Sequence, residues 1–190
     1  MRSKLGAVAV AFAVVLLAPG VAQAANKPVA GSAKGKDVLV IVPGVATCVS
    51  PPAQSTDNFC KWNVHGTYET GGPYLGSGKF SGRVTLNFAR YAANPDYGES
   101  CFYNFTGVIK FTNATGTLRT VVDRTSSFVC DDASGTQRDT HLVLTIPPGG
   151  HVGGYSNVSG GSIGWEGTWA QVSSTEYSDS ATFGGVVQTA

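Results

Sequence analysis

From Trp62 onward the chain alternates between apolar and polar positions with a period of two. Trp62, Val64, Gly66 and Tyr68 fall on one face, and Asn63, His65, Thr67 and Glu69 on the other. Such alternation marks a half-buried β-strand, whose successive side chains point to opposite sides. It recurs in Phe80, Val84, Leu86 and Phe88, and in Tyr103, Phe105, Ile109 and Phe111 with Gly107 on the same face. Later it returns in Leu142, Leu144 and Ile146, and in Ile163, Trp165 and Trp169. No helical period follows the N-terminal segment. The runs are separated by Gly71-Gly72-Pro73, Asn94-Pro95-Asp96, Asn113 to Gly116 and Pro147-Pro148-Gly149-Gly150. Proline fixes φ in such turns, and Gly and Asn tolerate positive φ. The pattern predicts one all-β domain, a single antiparallel β-barrel of roughly eight strands.

Before that domain the chain reads differently. Arg2 and Lys4 precede an apolar run from Leu5 to Leu17, followed by Pro19-Gly20 and Ala22-Gln23-Ala24. This is the anatomy of a cleaved secretory signal peptide, expected as a short helix over 1–24. The run is shorter than the roughly 20 apolar residues of a membrane span. No second long apolar segment follows, so the mature chain is expected to have no membrane span and to be secreted or held in the cell envelope. Residues 25–37 are small, polar and rich in Gly and Lys, and predict a flexible leader. The domain is then expected over 38–190, with a first strand at Val38 to Val42 and a loop from Pro43 to Asn58.

Export changes the reading of the cysteines. Cys48, Cys60, Cys101 and Cys130 are an even set in an exported chain and point to two disulfides. Zinc is disfavoured, because there is no C-x-x-C pair and His65, His141 and His151 are scattered. Of three possible pairings, Cys48 with Cys60 and Cys101 with Cys130 are preferred. The second pair flanks a hairpin turning near Asn113 to Gly116.

Charge narrows the partners. Removing Arg2 and Lys4 from the 13 Lys and Arg leaves 11 against 12 Asp and Glu, so the mature chain carries about −1. That balance gives no electrostatic footprint for nucleic acid or anionic membrane. Charged residues are 13% of the chain, about half the usual share, so the surface must be rich in hydroxyl groups.

Two segments echo one another: Phe111-Thr112-Asn113-Ala114-Thr115-Gly116 and Tyr155-Ser156-Asn157-Val158-Ser159-Gly160. Each combines an aromatic anchor with Asn and Gly at a turn, as expected at equivalent barrel corners. Asn104, Asn113 and Asn157 each head an N-x-[ST] sequon, although turn chemistry accounts for the last two.

The order Gly76-Ser77-Gly78-Lys79-Phe80-Ser81-Gly82, Tyr103-Asn104-Phe105-Thr106-Gly107, Thr145 to Gly150 and Gly153 to Gly160 resembles the small secreted barrels of the allene oxide cyclase and dirigent type. The resemblance covers about Trp62 to Trp169. It implies an eight-stranded barrel whose lumen takes an apolar ligand. No catalytic motif of those families can be matched here residue by residue.

Chemistry-bearing motifs are few. No G-x-S-x-G elbow surrounds a serine, no calcium loop follows Asp131-Asp132, and no cofactor or metal is implied. His65 and His141 fall on the polar faces of their strands. Alternation places Glu166 opposite Trp165 and Trp169. The aromatic set Trp62, Tyr68, Tyr103, Phe105, Trp165 and Trp169 is the better lead, since it lines either a packed core or a ligand pocket. Three readings remain: a module that binds a small apolar ligand or a cell-surface component, a lumen-based isomerase or cyclase, and a structural or interaction protein of the envelope.

Overall fold

The computed structural model describes residues 24–40, 59–70, 72–87, 91–94, 99–131 and 137–190. Its strands are β1 (Ala25–Leu39), β2 (Phe59–Thr70), β3 (Gly78–Asn87), β4 (Tyr91–Asn94), β5 (Glu99–Tyr103) and β6 (Thr106–Asn113). They continue with β7 (Gly116–Val122), β8 (Phe128–Asp131), β9 (Gln137–Thr145), β10 (Val152–Gly153), β11 (Val158–Ser173) and β12 (Glu176–Thr189). Eight of them, β1, β2, β3, β6, β7, β9, β11 and β12, follow one another around a closed antiparallel barrel. Each barrel strand neighbours the next in sequence, and β12 returns to pair with β1 from Ala25↔Thr189 to Val38↔Glu176. Closure removes the exposed edges that an open sheet would present.

Residues 25–37, expected to be a leader, form β1 in the barrel wall. The small residues that suggested mobility are small because aromatic rings lie against them. A Cβ on Gly31 would meet the Glu69 carbonyl oxygen at 2.1 Å and the Phe183 ring at 2.7 Å. One on Gly35 would meet the Phe80 ring at 2.6 Å. Gly35 stands opposite Gly66 on β2, where a Cβ would also strike Phe80 at 2.6 Å. The signal segment lies outside the described residues except for Ala24, as do Val42 and the expected loop from Pro43 to Asn58.

The run from Tyr103 to Phe111 is two strands. Asn104 adopts a left-handed φ of 64°, which asparagine tolerates, and the Arg124 Nε donates to its Oδ1 at 2.7 Å. The break sends Tyr103 into β5, whereas Phe105, Ile109 and Phe111 stay inside the barrel. β9 is shared in the same region. Its first part pairs with β8 from Arg138 to His141, and Leu144 and Thr145 pair with β7. Strands β8, β5 and β4 thus extend outward from β9 as a flap.

Cys101 and Cys130 stand directly opposite one another in this flap and are disulfide-bonded. The bond closes a loop around the β6–β7 hairpin. Cys60 is also bonded, while Cys48 falls outside the described residues.

Inside the barrel the rings pack edge to face or offset. Phe80 lies 5.3 Å from Trp165, Trp165 lies 5.9 Å from Phe183, and Tyr68 lies 5.2 Å from Phe111. At one end the two echoed turns meet. The Asn113 Nδ2 donates to the Tyr155 hydroxyl at 2.8 Å, and that hydroxyl donates to the Leu75 carbonyl at 2.8 Å. The echo therefore forms a plug of two halves.

The glycine slots make a sharp prediction for stability. Gly66→Ala is expected to cost about 2–3 kcal/mol, the range for overpacking a filled core. Gly184→Ala, whose Cβ would find only the Val29 carbonyl at 3.9 Å, is expected to stay within about 0.5 kcal/mol of wild type. Urea denaturation of the two variants checks the contrast.

Candidate functional site

Of the six aromatic residues expected to line a ligand site, Phe105, Trp165 and Trp169 border one small void. Trp62, Tyr68, Phe105, Trp165 and Trp169 are buried inside the barrel. Tyr103 lies in the flap, 5.6 Å from Phe128. Among the five, Trp169 packs 5.8 Å from Trp62 and 5.7 Å from Phe105. The void between Phe80, Phe105, Trp165 and Trp169 measures about 10 Å³. A dry cavity able to hold benzene is about 150 Å³; this one is the size of a single water molecule.

That void adjoins two carboxyl groups. Asp37 projects inward from β1, in the face that also carries Val29 and Ala33. Asp179 projects inward from β12, in the face that carries Ala181 and Phe183. Asp37 stands opposite Tyr177 in the β1–β12 register, so the two aspartates are diagonal neighbours on one inner face. Asp37 is fully buried and Asp179 is 6% exposed. Both oxygens of Asp37 and Oδ1 of Asp179 lack a hydrogen-bond partner. The remaining lining is apolar, with Val64, Val84, Ile109 and Leu142 beside the rings.

Charging either group there is costly, because the surroundings replace water with hydrocarbon. Burial, and then the neighbouring Asp179 carboxylate, holds the Asp37 carboxyl well above its ordinary value. Burial pushes Asp179 up to about 7. The nearby cation is already engaged: the Arg138 Nε donates to Asp131 at 2.6 Å, and its guanidinium lies over the Tyr177 ring at 5.5 Å. The alternation of Tyr177, Asp179, Ala181 and Phe183 is a signal in the sequence that could have found Asp179. Asp37 was hidden by the reading of β1 as a leader.

The outer wall divides by charge. Lys34, Lys36, Lys61, Lys79, Arg83, Lys110 and Arg119, more than half of the chain's 13 Lys and Arg, lie on β1, β2, β3, β6 and β7. Their positions alternate with inward-facing ones, and all but the partly covered Arg119 are exposed. Register aligns three of them, Lys36, Lys110 and Arg119, into a row with His65 and Ser81. Lys36 stands opposite His65, His65 opposite Ser81, Ser81 opposite Lys110, and Lys110 opposite Arg119. Lys36 is neutralised by Glu176 at 2.6 Å. A shallow groove of about 630 Å³ follows the rest, lined by His65, Ser81, Arg83, Lys110 and Arg119 with Asn63. The Arg83 Nε donates to the Asn63 Oδ1 at 3.3 Å.

The opposite wall carries acids. His141 Nδ1 meets Glu166, and the His141 ring stacks on Phe128 at 4.6 Å. A second groove of about 430 Å³ runs past them, with Asp139, Thr168, Ser180 and Thr182. Glu166 points away from both tryptophans, as alternation requires. Among the described residues no group of three or more His, Cys, Asp or Glu is arranged to hold a metal ion.

Comparison with known proteins finds no matching family model, curated protein or solved structure. The barrel architecture fits the expected resemblance in general; the allene oxide cyclase and dirigent relationship has no further support.

The aspartate pair gives the protein an unusual pH profile. The unfolded chain releases these protons near pH 4, whereas the folded chain keeps Asp179 protonated to about pH 7. Stability is therefore full below about pH 4 and falls as pH rises through 7. Asp179→Asn is expected to melt with wild type at pH 4 and several degrees above it at pH 8, at roughly 2–4 °C per kcal/mol. Thermal melts of both proteins across this range check the sign.

Proposed function

We propose that this protein is an exported binding module that acts from its outer wall on an acidic polysaccharide of the cell surface. The observation that carries the reading is the basic row across β2, β3, β6 and β7 with its groove. Strands lie about 4.8 Å apart, so the row from Lys36 to Arg119 extends about 19 Å along the wall. A linear polymer bearing regularly spaced carboxylates can lie across it and meet several cations in turn. Asn63 and Ser81 sit between the cations and supply hydrogen bonds to hydroxyl groups.

Among the described residues the groove is lined by no aromatic ring. That disfavours a single-stranded nucleic acid, whose binding sites stack bases on aromatic side chains. Export is supported by the signal-like N-terminus and by the disulfide, which suits an oxidising compartment. The net charge of about −1 hid this surface because Asp139, Glu166 and Glu176 stand on β9, β11 and β12, away from Arg83, Lys110 and Arg119, with Glu69 the exposed acid of β2. The readings that place an apolar ligand or an isomerase site in the lumen need space that Phe80, Trp165 and Phe183 occupy in the described residues.

Titration calorimetry with polygalacturonate, neutral dextran and duplex DNA tests the proposal. Polygalacturonate is expected to bind with micromolar affinity that weakens as salt rises, and dextran not to bind. Lys110→Glu with Arg119→Glu is expected to lose at least about tenfold, or 1.4 kcal/mol. Equal binding by the double variant, or tighter binding of DNA than of polygalacturonate, would overturn it.

A further inference from the structure

We propose that Asp37 and Asp179 form a site for one internal water bridging their two carboxyl groups, and that this site latches the barrel end where β1 leaves and β2 enters. The inference stands apart from the outer-wall reading and on different residues.

Geometry gives the site its occupant. A buried water needs about 10–15 Å³ and two to four polar partners. The void of about 10 Å³ offers three carboxyl oxygens that have none of their own. Without an occupant those oxygens are desolvated and unpaired, which a folded protein rarely tolerates. A water donates two hydrogen bonds and accepts up to two, so it can accept the acid O–H of one aspartate and donate to a carboxyl oxygen of the other. Of the described residues lining the void, only these two aspartates titrate.

Among the described residues no other charge lines the void. β2 presents Trp62 and Val64 to this layer, β3 Phe80 and Val84, β6 Ile109, and β11 Trp165 and Trp169. From β9 Arg138 is held by Asp131 of β8, and from β12 Tyr177 lies beneath that guanidinium. Lys36, next to Asp37, faces solvent and pairs with Glu176.

The balance of the switch is simple. As pH rises through about 7, the Asp179 O–H bond breaks and its proton passes to solvent hydroxide, while Asp37 keeps its own, leaving a carboxylate beside an acid. A charge in an apolar layer must be solvated, and the strands there, β1 near Asp37 and β12 near Asp179, must separate to admit water. The Tyr155 plug at the far end contains no carboxyl group and stays shut.

Two measurements on the wild-type protein test the latch without relying on a variant that folds. Infrared difference spectra between pH 5 and pH 9 are expected to show a protonated carboxyl C=O band persisting to about pH 7. Hydrogen exchange, corrected for intrinsic rates, is expected to quicken at least tenfold at 36–39 and 176–180 between pH 5 and 8, with no change at 113–118. Asp179→Asn should abolish the quickened exchange, whereas Asp123→Asn, an exposed carboxyl that is held low by its Thr125 bonds, should keep it. Absence of the C=O band at pH 6, or exchange that rises equally at both barrel ends, would overturn the proposal.

Discussion

The contact on which the structure depends is an aromatic ring seated over a glycine of the neighbouring strand. Phe80 lies over Gly66, its register partner on β2, and over Gly35 one strand further on, and Phe183 lies over its β1 partner Gly31. Each ring can lie along the inner face of the wall because the glycine beside it has no side chain to stop it. An interior of this strand number is just wide enough for side chains to fill. Here the rings do fill it, and the backbone oxygens behind the glycines leave no room for retreat. One constraint thus explains the glycine-rich composition, the ordered β1 and the small remaining void.

Filling has consequences for chemistry. Rings that fill the described interior leave the outer wall as the surface of the proposed binding, where strand register aligns Lys36, Lys110 and Arg119 with His65 and Ser81. Filling also sharpens the effect of the two polar groups that the rings enclose. A carboxyl in water is unremarkable, but Asp37 and Asp179 sit where neither solvent nor a counter-ion answers them. Proton binding becomes part of folding, and the protein is built to be firmer in acid than at neutral pH.

Much of this was legible in the sequence. Alternation through Trp62 to Tyr68, Phe80 to Leu86 and Leu142 to Ile146 gave the barrel, and the turn residues gave its corners. The pairing of Cys101 with Cys130 followed from the hairpin they flank. Composition misled at β1, because small residues read as loose chain until the rings opposite them are known, and those rings lie far away in sequence. Continuity misled at Tyr103, since one left-handed asparagine diverts the strand without disturbing the apolar period. The aspartate pair and the segregated charge were invisible for a related reason: both depend on register between strands, which no single strand contains. Net charge is a sum over the whole surface and cannot report where its members stand.

The central claim is that the barrel interior is closed to ligands, so that binding belongs to the outer wall. Xenon under pressure tests it directly, because xenon enters apolar cavities without needing a chemical match. Diffraction from xenon-pressurised crystals is predicted to show no xenon among Phe80, Phe111, Trp165 and Phe183. A xenon atom bound within that ring cluster would show that the lumen opens, and would contradict the account.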